Sequence, residues 1–181
     1  GEPMRFKGTQ DNKVGNLEIL SEYTVKCIGK ILNKEYTDIR VAEHKLYRNM
    51  GTSVYMKNKY EMGYSEANAG SGEIAVVQLV RRIEKARDYS LVLLDEPEVS
   101  LHPGAQENLK EYLLEAIKTK KLQVVISTHS PTLIIGLPSS AIKLFKTNEY
   151  GKFYVQENIN YEETTEDKKR VREYLRNHWP C

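Results

Sequence analysis

Two adjacent carboxylates and one histidine follow two mostly apolar segments of the chain, close to the point where each segment ends. Residues 91–94 lead directly into Asp95 and Glu96, and residues 122–126 are followed within three positions by His129. Short apolar runs of this kind predict buried strands of a parallel sheet. Because parallel strands end at one sheet edge, we expect the two acids and the imidazole to lie there, where α/β folds place their ligand sites.

The neighbouring acids suit hydrolysis of a nucleotide phosphate. Phosphoryl transfer needs a divalent metal on the phosphate oxygens and a group that orients the attacking water. Asp95 can hold Mg²⁺ through water, because Mg²⁺ keeps most of its hydration shell. Glu96 points in another direction and can accept a proton from the water. The alternative interpretation is a pair of surface acids that only cap the helix that follows.

A glycine-rich loop, residues 69–73, precedes a helix that we predict to begin at Ile74. Small residues let backbone N–H groups approach an anion, and a helix N-terminus favours negative charge. Gly72 lies 23 residues before Asp95, and this spacing favours an anion-binding loop over a merely flexible one.

The segments LVLLDEPEVSLHP and VVISTHSP together resemble the Walker B, D-loop and H-loop motifs of ABC-type ATPases. They are most similar to the branch that contains OLD-family nucleases, RecF-like repair proteins and SMC-type ATPases, over roughly residues 62–145. The resemblance implies ATP and Mg²⁺ as cofactors. It implies Asp95 as the metal ligand, Glu96 as the catalytic base and His129 as the contact to the γ-phosphate. The alternative for His129 is a structural histidine whose hydrogen bonds are satisfied within the protein at the strand end.

By the same resemblance, residues 70–73 form the ABC signature, which contacts the ATP held by the opposite subunit. The nucleotide-binding candidates in this loop are Gly70, Ser71, Gly72 and Glu73. The family pattern has serine before two glycine-like positions, whereas this chain has glycine first and serine second. Either Ser71 has taken over the role of that serine, or the register is shifted by one residue.

Ser100 and His102 occupy the D-loop position, which crosses the dimer interface in ABC-type ATPases. His102 replaces an aspartate common in transporters, and this replacement is typical of the OLD-like branch. An N-cap for a helix that begins at Pro103 is the alternative role for His102.

Length and composition exclude several classes. The chain has 181 residues, a net charge of +2 and two cysteines. It is long enough for one domain with a core, and its charge alone does not indicate nucleic acid. No apolar run approaches the ~20 residues that span a bilayer, and the first residues show no apolar segment of the signal-peptide type. We therefore expect no membrane partner. A disulfide framework is not indicated, so we expect a cytoplasmic location.

Hydrophobic periodicity predicts the order of elements. From the glycine-rich loop onward, helices and strands alternate, which predicts an α/β fold with a parallel sheet. The resemblance makes this fold a P-loop NTPase-like sheet with flanking helices, the C-terminal lobe of an ABC ATPase, with a small antiparallel addition. The other expected elements are a helix over 17–32, short strands over 37–41, 45–47 and 53–56 with a turn at 49–51, a loop over 63–72, antiparallel strands over 141–146 and 153–156, and a last helix from Thr164 or Thr165.

The motif Gly-x-x-x-x-Gly-Lys-Ser/Thr, which cradles phosphates, does not occur in the sequence. In ABC-type ATPases this Walker A motif precedes everything found here. We therefore expect residues 1–181 to be a single domain that forms the C-terminal portion of such an ATPase, with a motif core at about 62–145. Residues 1–61 would add a helix and short strands, and 146–181 a strand and a terminal helix.

The resemblance implies an ATPase that drives a DNA-related process such as phage defence or repair. The expected partner is an N-terminal Walker A half or a same-family ATPase subunit in a dimer; a nuclease subunit or domain and DNA are further candidates. Alone, the chain should not hydrolyse ATP. The alternative is a non-catalytic module that dimerises or binds a partner. A transporter subunit is disfavoured by Pro97-Glu98 and His102-Pro103.

Overall fold

The computed structural model describes residues 13–46 and 49–161. The chain forms two compact units, one ending at Thr128 and the other beginning at His129. The first unit contains an antiparallel sheet, three helices and a pair of parallel strands, and the second contains an antiparallel hairpin.

The first half of the larger unit is an antiparallel sheet with a helix packed on it. The strands are neighbours in the sheet in the same order as in the sequence, and the helix α1 connects the first strand to the second. Ser21 caps α1, since its Oγ accepts the backbone N–H of Thr24 at 3.2 Å. The elements are β1 (Lys13–Ile19), α1 (Glu22–Leu32), β2 (Tyr36–Leu46), β3 (Asn49–Asn58) and β4 (Gly63–Ser65).

The second half of this unit alternates helices and strands. The two strands pair in parallel, with Asp95 opposite Ser127 in the register. A 3-10 turn, Glu66–Asn68, leads into the first helix. The elements are α2 (Ser71–Lys85), β5 (Leu91–Asp95), α3 (Pro103–Lys120) and β6 (Gln123–Ser127).

One apolar core joins the sheet to the three helices. The inward faces of β2 and β3 and the facing stripes of α1, α2 and α3 are almost fully buried. Each large apolar side chain buried in this way contributes about 1.5–3 kcal/mol. This core fixes α2 and α3, whose N-terminal ends carry the candidate site residues. Its most buried members are Ile28, Ile31, Ile39, Val41, Val54, Met56, Val76, Val77, Val80, Ile83 and Leu109.

The second unit begins with a short helix, α4 (Pro131–Ile134), and continues into the antiparallel strands β7 (Lys143–Thr147) and β8 (Phe153–Glu157). Ser130 caps α4 through a 3.2 Å bond from the N–H of Thr132 to its Oγ. Gly136 follows the helix with a φ of 81°, a conformation that favours glycine.

The predicted α/β alternation and the late antiparallel strand pair are confirmed. The prediction of a helix from residue 17 was wrong, because Leu17 and Ile19 alternate with Glu18 in β1 and α1 begins only at Glu22. The predicted strands over 37–41, 45–47 and 53–56 were too short, since 37–41 and 45–46 belong to the long strand β2 and 53–56 to β3; residue 47 lies outside the described residues.

The predicted turn and loop also need correction. The turn was predicted near residues 49–51, and these residues lie within β3; Leu46 at the end of β2 pairs with Asn49, so β3 begins earlier than expected. The predicted loop over 63–72 contains β4, the 3-10 turn and the beginning of α2. The helix predicted from Thr164 or Thr165 lies outside the described residues. Over 13–46 and 49–161, no helix combines the length and apolarity needed to cross a membrane.

A charged network fastens α2 to the antiparallel sheet. The guanidinium of Arg81, whose side chain is 11% exposed, donates to Glu18 at 2.6 Å and to Glu43 at 3.1 Å. Lys85 donates to the same Glu18 oxygen at 2.6 Å. Burial raises the pKa of Glu18, but the contacts with Lys85 and Arg81 outweigh it and leave the pKa lowered.

Arg81→Met should lower the free energy of unfolding by about 2 kcal/mol, because two carboxylates lose their shared partner while remaining partly buried. Arg82→Met changes the neighbouring, exposed arginine and should alter it by less than about 0.5 kcal/mol. Urea denaturation measures both. Equal effects of the two substitutions would contradict the structural role of Arg81.

Candidate functional site

The parallel strands bring two polar side chains together where they end. Asp95 is the last residue of β5, and the Ser127 hydroxyl at the end of β6 donates a hydrogen bond to its Oδ1. The N–H of Glu96 donates to the Ser127 carbonyl at 3.0 Å, so the pairing extends one residue beyond β5. An exposed carboxylate is thereby held beside a hydroxyl at the sheet edge.

Glu96 turns the chain sharply away from the strand. Its φ is 43°, in the left-handed region that residues other than glycine adopt infrequently. Such a conformation persists where neighbouring contacts hold it, and the Ser127 carbonyl supplies one. The chain therefore leaves the direction of β5 at Glu96, and the role of Glu96 as the base stays a prediction.

The donor set at this edge fits a magnesium ion held mainly by water and phosphate. Asp95 offers one carboxylate and Ser127 one hydroxyl, both oxygen ligands. Within the described part of the chain, no three His, Cys, Asp or Glu side chains converge as a metal site. Nucleotide-bound Mg²⁺ needs few protein ligands, because the phosphates supply the others.

The segment after Glu96 folds back against the end of β6. Glu98 is buried, with 6% exposure, and its Oε1 accepts a hydrogen bond from the Thr128 hydroxyl. The N–H of Leu101 donates to the Glu98 carbonyl at 2.9 Å, and Ser100 has a φ of 70°. These contacts set the path of residues 98–102, which we call the D-loop segment.

His102 acts as the N-cap of α3. Its Nδ1 accepts the N–H of Gly104 at 3.0 Å, and Pro103 takes the first helical position. Because Nδ1 is the acceptor, the proton of the neutral ring lies on Nε2. The capping role that the sequence left open is therefore present, and any contact of His102 with a nucleotide or a partner stays a prediction.

The glycine-rich loop packs directly on the D-loop segment. Gly70 is the N-cap of α2 and the exposed Ser71 begins it, so the helix starts three residues before the predicted Ile74. Gly72 is buried, and a Cβ there would lie 2.5 Å from the carbonyl oxygen of Ser100. Only glycine permits this approach, which places the two predicted nucleotide-contacting segments side by side.

Glu73 holds the loop in place from inside the protein. Its Oε2 accepts the Gly70 N–H at 3.0 Å, and its Oε1 accepts Lys34 Nζ at 2.8 Å. The hydroxyls of Tyr36 and Tyr64 also donate to Oε1, at 2.6 and 2.9 Å. Burial raises the pKa of Glu73, but these four donors outweigh it and lower the pKa to about 2.

The Glu73 carboxylate is therefore an anchor whose hydrogen bonds face the protein, and sequence reasoning did not find its partners. Lys34, Tyr36 and Tyr64 precede Glu73 by 9 to 39 residues and have no motif of their own. The only hint of such partners is that Glu73 is an acid on the buried face of α2, and this is apparent only when the helix is known to begin at Ser71.

His129 is exposed and is the first residue of the second unit. It follows the end of β6 by two positions in the sequence. Its contact with the γ-phosphate stays a prediction.

Comparison with known proteins identifies the family. A family described as "AAA domain, putative AbiEii toxin, Type IV TA system" matches residues 9–135. The chain belongs to this family. It is an ABC-type ATPase domain similar to those of OLD nucleases and SMC proteins.

Two phage proteins are similar in sequence. Protein ea59 of Escherichia phage lambda is 28% identical over 148 residues, which are 79% of this chain and 26% of that protein. The Old nuclease of Escherichia phage P2 is 25% identical over 127 residues, 59% of this chain and 21% of that protein. The chain thus spans about a quarter of the length of these relatives.

Solved structures of SMC heads share the fold. One, from a study of "ATP-driven dimerization and DNA stimulated activation of SMC ATPases", superposes with a TM-score of 0.59 at 14% identity, covering 82% of this chain and 88% of that one. An Smc head domain with coiled coil from Pyrococcus yayanosii gives 0.57 at 14% identity, covering 82% and 28%. At this identity, the likeness concerns the fold.

Gly72→Ala should lower the free energy of unfolding by about 2 kcal/mol, because the new Cβ must displace the Ser100 backbone. Gly70→Ala is the matched control, since its Cβ would meet nothing closer than Glu73 Oε2 at 3.8 Å. The control should cost less than about 1 kcal/mol, the loss of a favourable N-cap residue. Thermal or urea denaturation measures both, and equal costs would contradict the close contact.

Glu73→Gln should destabilise the protein by about 2 kcal/mol at neutral pH, because a buried anion loses its charge-assisted hydrogen bonds. A depressed pKa stabilises the fold above the unfolded value of 4.5, and this stability is lost as pH falls toward about 2. The variant should therefore lose less stability than the wild type over that window.

The control for this pH series is Glu107→Gln, an exposed acid on α3. Urea denaturation at a series of pH values measures the free energy of unfolding of all three proteins. If the pH profile of Glu73→Gln matched that of the wild type, the anchoring role of Glu73 would be wrong.

Proposed function

We propose that this chain provides the signature, Walker B, D-loop and H-loop portion of an ABC-type ATPase, and that it hydrolyses ATP with an upstream Walker A half. The observation that carries this proposal is the sheet edge at which Asp95 lies beside Ser127 and is followed by Glu96 in a left-handed backbone turn. An ATPase-family domain with these acids at a parallel strand end can supply a metal ligand and a base, two of the parts that phosphoryl transfer needs.

In this proposal, Asp95 holds the magnesium ion and Glu96 orients the attacking water and accepts its proton. Bound Mg²⁺ supplies positive charge that neutralises the phosphate oxygens. Ser127 orients the Asp95 carboxylate through its hydroxyl. His129, exposed after β6, donates a hydrogen bond to the γ-phosphate.

The glycine-rich loop contributes to a second nucleotide, held by a partner subunit in a two-fold dimer. Ser71 and Gly72 offer N-terminal N–H groups of α2 to that phosphate, next to Gly70, whose own N–H is bonded to Glu73. Glu73 takes part by fixing the loop, and the contact of Gly72 with Ser100 couples it to the D-loop segment.

The parallel strands leave an apolar face exposed, which supports an upstream half as partner. Leu91, Leu93 and Val125 lie on one face of the β5–β6 pair and are 59%, 70% and 58% exposed. A parallel sheet is normally covered on both faces. We propose that strands and a helix of the Walker A half extend this pair and cover the face.

The process that the ATPase drives is proposed from its relatives. One relative is named a nuclease, and one similar structure comes from a study of the DNA-stimulated activation of SMC ATPases. We propose that ATP binding and hydrolysis gate a DNA transaction such as phage defence or repair, with DNA and a nuclease domain or subunit as partners.

A non-catalytic module is the second candidate. It is favoured by the absence of a Walker A motif from the sequence and by the capping role of His102. Titration of Mg-ATP into this chain combined with its upstream half separates the two functions. Saturable binding supports the ATPase, and no binding supports the module.

Glu96→Gln should reduce ATP turnover at least about 100-fold while Mg-ATP binding is retained, because the base is lost but the metal ligand stays. The assay uses the chain combined with its upstream Walker A half. Glu115→Gln, an exposed acid on α3, is the matched control and should leave turnover unchanged. Turnover by Glu96→Gln at the control's rate would exclude Glu96 as the base.

The chain without that half should show no ATP turnover and should self-associate through its uncovered sheet. Phosphate release and size-exclusion chromatography measure these properties. Robust turnover by the purified chain that Glu96→Gln abolishes would refute the need for a Walker A half while leaving the role of Glu96 intact.

A further inference from the structure

A concave pocket of about 770 Å³ opens on the first unit, far in sequence from the sheet-edge acids. Its wall is formed by the C-terminal part of α1, the segment that joins α1 to β2, and the turn after β3. The size suits a small ligand or one unit of a polymer. The residues that matter chemically are Lys26, Lys30, Lys34, Tyr36, Lys59 and Tyr60.

Backbone contacts brace this pocket. The N–H of Lys34 donates to the Gly29 carbonyl at 2.9 Å, and the N–H of Lys59 donates to the Glu35 carbonyl at 3.1 Å. A Cβ on Gly29 would lie 2.6 Å from the Lys34 carbonyl oxygen, so the end of α1 closes tightly onto the next segment. The lysine stems therefore project from a fixed frame.

The wall is basic. It contains four lysines and one acid, Glu35. Lys26, Lys30 and Lys59 form ion pairs with Glu22, Glu111 and Glu35 at 2.6, 3.3 and 3.2 Å, and every side chain in these pairs is at least 46% exposed. Exposed pairs contribute little, so a phosphate with more charge and more acceptor oxygens can replace the carboxylates.

An aromatic ring stands beside these cations. Tyr60 is 72% exposed, and Lys59 Nζ lies 5.4 Å from its ring centroid. Phosphate-binding lysines next to an open aromatic face are the combination with which proteins bind nucleotides without reading a sequence, since every base has a π-face.

We propose that this pocket binds a nucleotide unit, with its phosphate on Lys26, Lys30 and Lys59 and its base stacked on Tyr60. The unit is either a free nucleotide or part of a single-stranded nucleic acid. The proposal stands apart from the ATPase function, because none of these residues belongs to the sheet edge or the glycine-rich loop. Lys34 also borders the pocket, but it holds Glu73 and is therefore left unchanged in the test.

The test measures fluorescence anisotropy of a short labelled oligothymidylate with the intact protein, at low salt and without Mg²⁺. Unlabelled thymidine monophosphate is the competitor. Tyr60→Ala should weaken binding about tenfold through lost stacking. The double substitution Lys26→Gln with Lys59→Gln should weaken binding at least as much. It should also flatten the salt dependence, since each lost phosphate contact reduces the slope of log K against log salt concentration by about 0.7.

Matched controls lie elsewhere on the surface. Tyr150→Ala removes a tyrosine that is 77% exposed, and Lys118→Gln with Lys152→Gln removes two exposed lysines. Binding that the pocket variants weaken and the controls retain supports the proposal; competition by the monophosphate then identifies a free nucleotide, and its failure to compete identifies a strand. Absence of saturable binding, or equal losses in pocket and control variants, overturns it.

Discussion

The parallel pairing of β5 with β6 is the constraint on which the candidate site depends. Its register sets Asp95 opposite Ser127, so both strands end at one edge and the hydroxyl of one orients the carboxylate of the other. A slip of either strand by one residue would move its polar side chain to the face opposite its partner. The pairing also holds Glu96 in its left-handed turn through the Ser127 carbonyl. The same strand pair thus orients the proposed metal ligand and fixes the backbone of the proposed base.

The glycine-rich loop depends on a second, independent constraint. Glu73 is a buried anion with donors from α1–β2, β4 and its own helix N-terminus, and it ties the loop to the antiparallel sheet. Gly72 then brings the loop against Ser100. The antiparallel sheet, which carries no predicted catalytic residue, consequently positions a segment proposed to act on a neighbouring nucleotide. The first part of the chain therefore has a structural role, which is to fix the glycine-rich loop.

The sequence predicted the parts whose signal is local. The apolar runs before Asp95 and His129, the cap at Ser130 and the alternation of helices and strands follow from patterns within a few residues. It did not predict β1, because Leu20, directly after this strand, continues the helical spacing of Tyr23 and Cys27. The anchoring of Glu73 by Lys34 joins residues 39 positions apart. Arg81 is partly buried because it contacts Glu18 and Glu43 on strands distant in sequence, whereas the neighbouring Arg82 is exposed. Such contacts arise from tertiary packing and leave no local pattern.

The most direct test locates the metal. In the ¹H–¹⁵N spectrum of the chain combined with its Walker A half, Mn²⁺ bound with a non-hydrolysable ATP analogue in place of Mg²⁺ broadens the amide signals near it. We predict the strongest broadening at Asp95, Glu96 and Ser127, and its loss in Asp95→Asn. Strong broadening elsewhere, with these three signals unaffected, would contradict the assignment of this sheet edge as the metal–nucleotide site.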